Sequence, residues 1–333
     1  MQTYSILRTD LVVSRIAYGC AGLVGWDKEP VGAQDIAKAT RLIHTAYDSG
    51  ITFFDHANLY AFGKSEATFG QVLKQSPGLR DKIVIQSKCG QYFPEGSQLG
   101  DPVRVDLSRE HIVRSAEESL KRLCTDYLDI LLLHLPDALV EPEEVAAAFD
   151  ELKSGGKVRY FGVSNHTAAQ IRLLKEYVRQ PIVANQVHLG LAHSYLIADG
   201  LELTLEIVKG TTRDHGYTGV AGTGTLDYCR RHGIQVQAWS PLRGDLLNPP
   251  ADAKPEIKQV AQRLAELAKQ KDTTPSAVGL AWLLRHPVGI VPIIGATNPD
   301  HIIENCAADR VELSREEWYA LFTAAAEIQS RFI

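Results

Sequence analysis

The run Leu128-Asp-Ile-Leu-Leu-Leu-His134 gives the clearest indication of the fold, because it is short, almost continuously apolar, and ends at an ionisable side chain. Such runs are typical of strands that are buried on both faces, since neither face alternates with solvent. Apolar residues recur at helical spacing before the run, over residues 112–123, and again after it, over residues 145–152. The stretch therefore predicts a parallel strand that lies between two amphipathic helices.

The same alternation of apolar run and helical stretch continues in both directions from this strand, along the whole chain. The candidate strands are Ile16–Gly19, Ile51–Asp55, Ile83–Ser87, Leu128–His134, Val158–Val163, Ile182–Val187, Ile234–Trp239 and Gly289–Ile294. Eight β/α units with parallel crossovers predict an α/β fold of the closed (β/α)8, or TIM barrel, type. An open doubly wound sheet is disfavoured, because the nearest candidate for its glycine-rich turn, Gly19-Cys-Ala-Gly22, does not match GxGxxG.

Helix-end signals support this division of the chain. Ser108, Thr274 and Ser314 are predicted N-caps, and Gly155-Gly156 predicts the end of a helix. No linker rich in Pro, Gly or Ser interrupts the pattern, so we expect a single domain over residues 1–333. Two connections are unusually long, residues 91–107 after strand three and residues 189–225 after strand six, and we expect the second to be a flexible lid.

Composition excludes several classes of function. The 333 residues carry a net charge of −5, which gives no support for binding nucleic acid through a basic face. The longest apolar run, residues 127–135, is under half of a membrane span of about 20 residues, and the N-terminus lacks a signal-peptide pattern. The five cysteines are widely spaced and form no CxxC, so neither disulfides nor a metal site is expected. We expect a cytoplasmic protein with reduced, mostly buried thiols.

Polar side chains follow the predicted strands at the end where barrel enzymes hold their active sites. In strand order they are Asp55, Lys88, His134, Ser164 with Asn165, Gln186, and Trp239 with Ser240, while strand eight runs into Gly295. Each position taken alone has an ordinary structural explanation, such as a helix cap or a solvated lysine. Their joint occurrence at successive strand ends indicates a shared site at one rim of the barrel.

Tyr60 completes a candidate for acid–base chemistry, since the five-residue loop after Asp55 can fold its phenol back over the barrel mouth. A free phenol has a pKa of about 10, too high for efficient proton transfer at neutral pH, and a nearby ammonium lowers it. Lys88 is the predicted ammonium, Asp55 keeps that ammonium charged and in place, and His134 binds the substrate oxygen. These four residues are predicted to form a proton donor for a carbonyl oxygen.

These motifs resemble those of the aldo-keto reductase superfamily over nearly the whole chain, from about Tyr4 to the helix after Glu304. The similar segments are Ile51-Thr-Phe-Phe-Asp55-His-Ala-Asn-Leu-Tyr60, residues 115–134, Gly156-Lys-Val-Arg-Tyr-Phe-Gly-Val-Ser-Asn165, Ala238-Trp-Ser-Pro-Leu-Arg-Gly244 and Pro292-Ile-Ile-Gly-Ala-Thr297 with Glu304-Asn305. The resemblance implies NAD(P)-dependent hydride transfer between nicotinamide C4 and a carbonyl or alcohol substrate, with Tyr60 as general acid or base.

The resemblance also implies where the cofactor binds. The implied contacts are Ser164, Asn165 and Gln186 for the carboxamide, Trp239 for ring stacking, Ser240, Pro241, Leu242, Arg243 and Gly244 for the pyrophosphate, and Ile294, Gly295, Ala296, Thr297, His301, Glu304 and Asn305 for the adenosine end. The family usually has Arg or Lys just after the Gly295-Ala296 position, to pair with the 2′-phosphate of NADP. Here none occurs before His301, and Asp300 is negative. NADP(H) is narrowly favoured, and NAD(H) stays open.

The substrate is less clearly indicated than the reaction. Trp26, Tyr92 and Phe93 are candidates for an aromatic substrate pocket that suits small aldehydes, ketones or sugars, with His188 or His193 as further candidates. We expect His56 and Asn58 to be solvated loop residues. The physiological substrate, the preferred direction and the oligomeric state stay open.

Two other functions compete with a reductase. Relatives of this family that hold the cofactor tightly act as redox-sensing subunits, so a regulatory nicotinamide-binding module is one alternative. A lyase that forms a Schiff base on Lys88 is another, but the expected neighbour Asp55 disfavours it, because a nucleophilic lysine must lose its proton.

Overall fold

Eight parallel strands close into a barrel, in the order in which the chain supplies them. The structure is a computed structural model that describes residues 1–27, 29–98, 100–199, 201 and 223–329. The described strands are β1 (Thr3–Ser5), β2 (Val12–Ser14), β3 (Ala17–Gly19), β4 (Phe53–Asp55), β5 (Val84–Cys89), β6 (Gln91–Tyr92), β7 (Arg104–Val105), β8 (Leu128–Leu133), β9 (Val158–Ser164), β10 (Ile182–His188), β11 (Gln235–Trp239) and β12 (Ile290–Ile294). The barrel runs β3-β4-β5-β8-β9-β10-β11-β12 and closes by pairing β12 with β3.

Helices surround the barrel and alternate with its strands. The described α-helices are α1 (Ala33–Asp48), α2 (Lys64–Gln75), α3 (Arg109–Leu123), α4 (Pro142–Ser154), α5 (Ala168–Tyr177), α6 (Tyr195–Ala198), α7 (Thr225–His232), α8 (Gly244–Leu247), α9 (Pro255–Gln270), α10 (Pro275–Leu284), α11 (Pro299–Cys306) and α12 (Arg315–Gln329). The predicted (β/α)8 barrel and its eight strands are therefore confirmed, with differences of a few residues at the strand ends.

Strand β8 shows why the barrel strands are mostly apolar. Ile130 and Leu132 belong to the apolar cluster inside the barrel, whereas Leu131 and Leu133 belong to the larger cluster between the barrel and the helices. Because side chains alternate between the two faces of a strand, both sets are buried and neither can be polar without a partner.

Sequence signals for the helix ends are confirmed at four places. The Ser108 hydroxyl accepts from the His111 N–H, and the Thr274 hydroxyl accepts from the Ala277 N–H. Ser314 and Glu317 bond to each other's backbone N–H groups, which is a capping box. Helix α4 ends at Ser154, immediately before the two glycines at 155 and 156.

Two features of the fold were not predicted, since both come from short strands with weak sequence signals. The hairpin β1–β2 places Ile6, Leu11 and Val13 in the apolar cluster that fills the barrel interior. The long connection after β5 contains the small antiparallel pair β6–β7. Most of the second long connection, residues 200 and 202–222, and with it most of the predicted lid, lies outside the described residues.

Candidate active site

Lys88 lies at the centre of the predicted acid–base group and is fully buried. Its Nζ is 2.7 Å from Asp55 Oδ2, 3.0 Å from Tyr60 Oη and 2.7 Å from the carbonyl oxygen of His56. An ammonium has three N–H donors, so these three bonds use all of them. The position and direction of the charge beside the phenol are therefore fixed by the end of β4 and the loop that follows it.

The loop after β4 folds the Tyr60 side chain back over the barrel mouth. Tyr60 begins a 3-10 turn that ends at Gly63, and the next two residues, Ala61 and Phe62, have positive φ angles of 49° and 58°. Residues other than glycine seldom adopt this left-handed conformation, and it is frequent at functional sites. The turn brings Tyr60 within hydrogen-bond distance of Lys88, as the sequence predicted.

Burial and the Lys88 ammonium change the pKa of Tyr60 in opposite directions. Burial raises the pKa of Tyr60 above its usual value of 10, and the Lys88 ammonium lowers it, with a net increase. The expectation from the sequence that the ammonium lowers this pKa below 10 is therefore wrong, because burial outweighs the Lys88 charge. Burial alone would lower the pKa of Lys88, but Asp55 and Tyr60 outweigh it and raise that pKa. A lysine held in its charged form is a poor nucleophile, which weighs against a Schiff-base lyase.

His134 directly follows β8, where its backbone N–H donates to the Cys89 carbonyl oxygen at 2.9 Å. Its ring centroid is 6.1 Å from that of Tyr60. Burial, and then the Lys88 charge, hold the pKa of His134 well below 6.5. The imidazole is therefore neutral at physiological pH and can bind a substrate oxygen without adding a positive charge.

A cavity of about 890 Å³ opens beside this group. Asp55, Tyr60 and His134 line it, while Lys88 lies beneath them. Every predicted cofactor contact except Arg243 and Thr297 also lines it: Ser164, Asn165, Gln186, Trp239, Ser240, Pro241, Leu242, Gly244, Ile294, Gly295, Ala296, His301, Glu304 and Asn305. The fold thus brings most of the predicted site residues to one cavity.

The end of the cavity beside His134 is crosslinked by hydrogen bonds. Asn165 Nδ2 donates to the His134 carbonyl oxygen at 3.2 Å and to Ser164 Oγ at 2.9 Å. Asn165 Oδ1 accepts from Trp239 Nε1 at 2.9 Å. Asn165 also has a positive φ of 59°, which asparagine tolerates better than most residues. These bonds connect the ends of β8, β9 and β11.

Trp239 lines the cavity with one face of its indole covered by a histidine. The rings of His188 and Trp239 are 3.9 Å apart and nearly parallel, at 10°. His193 packs on His188 at 3.7 Å. Burial lowers the pKa of His188 to about 4, so this stack is uncharged at neutral pH. The two histidines therefore support the indole and are not part of the cavity lining.

Three candidates for the substrate pocket lie away from the cavity lining. Tyr92 is 36% exposed and packs on His111, with ring centroids 5.2 Å apart. Phe93 packs on Phe62 at 4.8 Å. Trp26 lies closest to the acid–base group, with its ring centroid 6.2 Å from that of Tyr60.

The expectation that His56 is a solvated loop residue is wrong, since its side chain is fully buried. Its backbone N–H donates to the Gln86 carbonyl oxygen, so the chain still follows the barrel wall at this point. Its ring contacts the edge of Phe69 on α2, with centroids 4.5 Å apart. Asn58 is half-buried and donates from Nδ2 to the Gln91 carbonyl oxygen.

Sequence reasoning missed several residues of the site. Gln91 and Leu135 line the cavity near His134, and residues 274–276 at the start of α10 line its other end. Gln86 and Gln237 lie inside the barrel, each two residues before a predicted site residue on the same strand. A polar residue at an inward position of an apolar strand is the signal that could have identified them.

Comparison with known proteins shows which family this chain resembles. The model of the aldo/keto reductase family matches residues 15–325. The uncharacterized oxidoreductase YcsN of Bacillus subtilis is 35% identical over 321 residues, which are 96% of this chain and 96% of YcsN. The 6-dehydroglucose reductase of Agrobacterium fabrum is 34% identical over 320 residues, again 96% of each chain.

A solved structure agrees as well. The glycerol dehydrogenase of Gluconobacter oxydans superposes with a TM-score of 0.77 at 25% identity, covering 99% of this chain and 97% of that one. No helix among the described residues is long and apolar enough to cross a membrane. The sequence match, the barrel and the grouping of residues around the cavity lead to one conclusion, that this chain belongs to the aldo/keto reductase family of oxidoreductases.

Proposed function

We propose that this protein transfers hydride between nicotinamide C4 and a carbonyl or alcohol carbon, with Tyr60 as the general acid or base. The observation that carries the proposal is the position of Lys88 Nζ, within hydrogen-bond distance of both Asp55 and Tyr60 at the wall of one cavity. A phenol beside a fixed ammonium can give up its proton and be stabilised as the phenolate that results.

The residues around the cavity fit a nicotinamide cofactor. A volume of about 890 Å³ lies in the range of small-molecule sites, about 300–1,000 Å³. Ser164, Asn165 and Gln186 line the part of the cavity where the carboxamide would bind, and the segment 240–244 would follow the pyrophosphate. When bound, the nicotinamide ring supplies the hydride in reduction or accepts it in oxidation.

Each member of the acid–base group has a separate role. In reduction, Tyr60 Oη gives its proton to the substrate oxygen while the carbon receives the hydride, and the Lys88 ammonium stabilises the phenolate left behind. In oxidation, the same phenolate takes the hydroxyl proton. The neutral His134 ring orients the oxygen. Asp55 keeps Lys88 charged and directed at the phenol.

NADP(H) is the proposed cofactor by a narrow margin, because the family resemblance favours it. None of the described residues that line the cavity is Lys or Arg. Arg243 makes two bonds of 2.6 Å to the Asp245 carboxylate and is neutralised there. Without a cation among the lining residues for the 2′-phosphate, we expect kcat/KM for NADPH and NADH to lie within about tenfold of each other.

The proposed substrates are small aldehydes, ketones and carbonyl sugars. The name of the Agrobacterium relative indicates an oxidised glucose, and that of the Gluconobacter structure indicates a small polyol. Substrates of this kind carry hydroxyl groups beside the carbonyl. We propose that Trp26, whose ring centroid is 6.2 Å from that of Tyr60, contacts the part of such a substrate that extends beyond the cavity lining.

The test is Tyr60→Phe, which removes the proton donor and keeps the ring. Purified enzyme is assayed for NADPH and NADH oxidation on a panel that includes glyceraldehyde, dihydroxyacetone and 6-dehydroglucose. We expect kcat to fall by at least about 10²-fold, the scale of general acid catalysis, with cofactor affinity unchanged by fluorescence titration.

Two results would contradict the proposal. If Tyr60→Phe retains most of its turnover while cofactor still binds, then Tyr60 is not the proton donor. If the wild-type protein binds the cofactor tightly but reduces no carbonyl of the panel, then the regulatory binding module is the better description.

A further inference from the structure

Inside the barrel, directly below Asp55, lies a group of glutamines that the proposed chemistry does not use. Gln86 comes from β5, Gln186 from β10, and Gln235 and Gln237 from β11, and each is at most 3% exposed. Bulky apolar residues normally fill this layer of a TIM barrel. Buried amides are costly unless their donors and acceptors are bonded, so a cluster of them inside an apolar barrel requires a specific set of partners.

The amides form one connected network that ends on the Asp55 carboxylate. Asp55 Oδ1 accepts from Gln86 Nε2 at 2.6 Å and from Gln186 Nε2 at 2.9 Å. The second hydrogen of each amide goes to Gln237 Oε1, at 2.8 Å and 3.0 Å. Gln237 Nε2 then donates to Gln86 Oε1 at 2.9 Å and to Gln235 Oε1 at 3.2 Å.

The Asp55 carboxylate determines which amide atoms donate and which accept in this network. An ionised carboxylate can only accept hydrogen bonds, so Gln86 and Gln186 must both turn their NH₂ groups toward Asp55. The remaining amide hydrogens of Gln86 and Gln186 then require that Gln237 turn its oxygen toward them. The NH₂ group of Gln237 therefore faces Gln86 Oε1 and Gln235 Oε1. Gln237 uses both its lone pairs and both its hydrogens, and no other orientation of its amide would satisfy the same neighbours.

We propose that Gln86 and Gln237 are positioning residues for the proton donor. They hold Asp55 so that Oδ2 faces Lys88, and thereby keep the ammonium beside Tyr60. This inference rests on the proposed function, since it assigns the network to the same acid–base group. The bonds of Gln237 run to the other glutamines, and it is not among the described residues that line the cavity, so its influence on Tyr60 passes through Gln86, Gln186 and Asp55.

Gln186 gives the network a second connection. It lines the cavity where we propose that the carboxamide binds, and it also bonds to Asp55 and Gln237. Any movement of its amide is therefore transmitted to the carboxylate that holds Lys88. The network connects the cofactor end of the site to the proton donor through bonds of 3.0 Å or less.

The experiment follows the ionisation of Tyr60 directly. Gln237→Met and Gln86→Met remove the amide and keep the side-chain length. Each protein is prepared with 3-fluorotyrosine, which lowers phenol pKa values into a range that the fold tolerates, and the 19F signal of residue 60 is assigned with Tyr60→Phe. Because Asp55 loses its support and Lys88 its fixed position, we expect the pKa of residue 60 to rise by at least about 0.5 in both variants.

The pH profile of alcohol oxidation should shift in the same direction as the pKa of residue 60. Alcohol oxidation needs the phenolate, so the rising limb of kcat against pH should move to higher pH by a similar amount, with KM changed less than about twofold. The matched control is Asn185→Leu, which removes another fully buried amide from β10. Asn185 bonds to the His166 carbonyl oxygen outside the network, so we expect the 19F titration of this control to match that of the wild type.

A purely structural network would destabilise the fold on substitution and leave the titration unchanged. The proposal is therefore overturned if folded Gln237→Met and Gln86→Met both titrate like the wild type. If Gln237→Met does not fold, then Gln86→Met decides the question. The 19F measurement uses neither substrate nor cofactor, so a failure of the proposed function, seen as an inactive wild type, is distinguishable from a failure of this inference.

Discussion

The two ends of the cavity are built differently. At the acid–base end, Asp55 and Lys88 come from strands of the barrel, are at most 1% exposed, and are paired at 2.7 Å. At the other end, where we propose that the adenosine binds (the adenosine end), His301 and Glu304 lie on the short helix α11 and are exposed. Side chains held by a closed barrel have few alternatives, whereas exposed side chains on a helix can change without disturbing the core.

The difference indicates where each property of the enzyme resides. Chemistry needs groups held in a fixed geometry and protected from water, and the strands supply both conditions. Nucleotide preference needs only one or two charges near the 2′ position, and a surface helix can supply or omit them. We therefore expect substitutions at the acid–base end to cost both stability and activity, and substitutions at the adenosine end to change specificity alone.

Lys88→Met is expected to have the largest effect. It leaves the Asp55 carboxylate buried without its cation, which typically costs about 3–5 kcal/mol of unfolding free energy. It also removes the charge beside Tyr60, so kcat should fall by at least about 10²-fold. Urea denaturation and steady-state kinetics measure the two losses separately.

The double variant Asp55→Asn with Lys88→Met is the control. Removing both charges should restore much of the lost stability while activity stays low, because no unpaired charge of this ion pair is left inside the barrel. If Lys88→Met alone has the same urea midpoint of unfolding as the wild type, then the ion pair is not what distinguishes this end of the cavity.

His56 gives the acid–base end a pH-dependent stability. Burial, and then the Lys88 charge, lower the pKa of His56 to about 3, against 6.5 in an unfolded chain. The unfolded chain therefore binds a proton below pH 6.5 that the folded protein does not, and stability falls as the pH decreases. Between pH 7 and pH 5 this group should cost about 2 kcal/mol of unfolding free energy.

His56→Leu should remove that part of the pH dependence. The measurement is urea denaturation at both pH values, with the exposed His301→Leu as the comparison variant. Equal slopes of stability against pH in the wild type and His56→Leu would mean that His56 is protonated within the folded protein, or hydrated there.

Thr297→Arg should have the smallest effect on the fold and a selective effect on the cofactor. A guanidinium near the 2′-phosphate can add a charge-assisted hydrogen bond, so the ratio of kcat/KM for NADPH over NADH should rise by at least about tenfold. Because the acid–base group lies at the other end of the cavity, kcat with NADPH should change less than about twofold. Thr297→Ser is the matched variant, and we expect its ratio to equal that of the wild type.

The opposite result would remove the distinction between the two ends. If Thr297→Arg lowers kcat as strongly as a change in the acid–base group, then the adenosine end also determines the chemistry. An unchanged NADPH-to-NADH ratio would place the 2′ position elsewhere along the rim.

The barrel and the acid–base residues could be predicted because their signals are local. Strands such as β8 are buried on both faces and are therefore mostly apolar, so a polar residue at the strand end is conspicuous. The glutamine network could not be predicted in this way. Gln86 and Gln237 lie far apart in the sequence, and either one alone resembles an ordinary polar residue within a strand.

The aromatic candidates lie outside the cavity lining for a related reason. Tyr92 and Phe93 lie in the connection after β5, whose path depends on the pair β6–β7 and on packing with α3 and Phe62. An aromatic residue in a loop is apolar enough to pack in several directions. Its sequence position therefore carries little information about which surface it covers.

The barrel and the approximate positions of its eight strands follow from the amino-acid sequence alone, because the burial pattern of a parallel barrel is visible in consecutive residues. Three other facts required the folded structure: which buried amides meet below Asp55, that His56 is enclosed, and that Arg243 is neutralised by Asp245. These facts depend on distances between side chains from different strands and loops, and the closed barrel sets those distances only once the whole chain has folded.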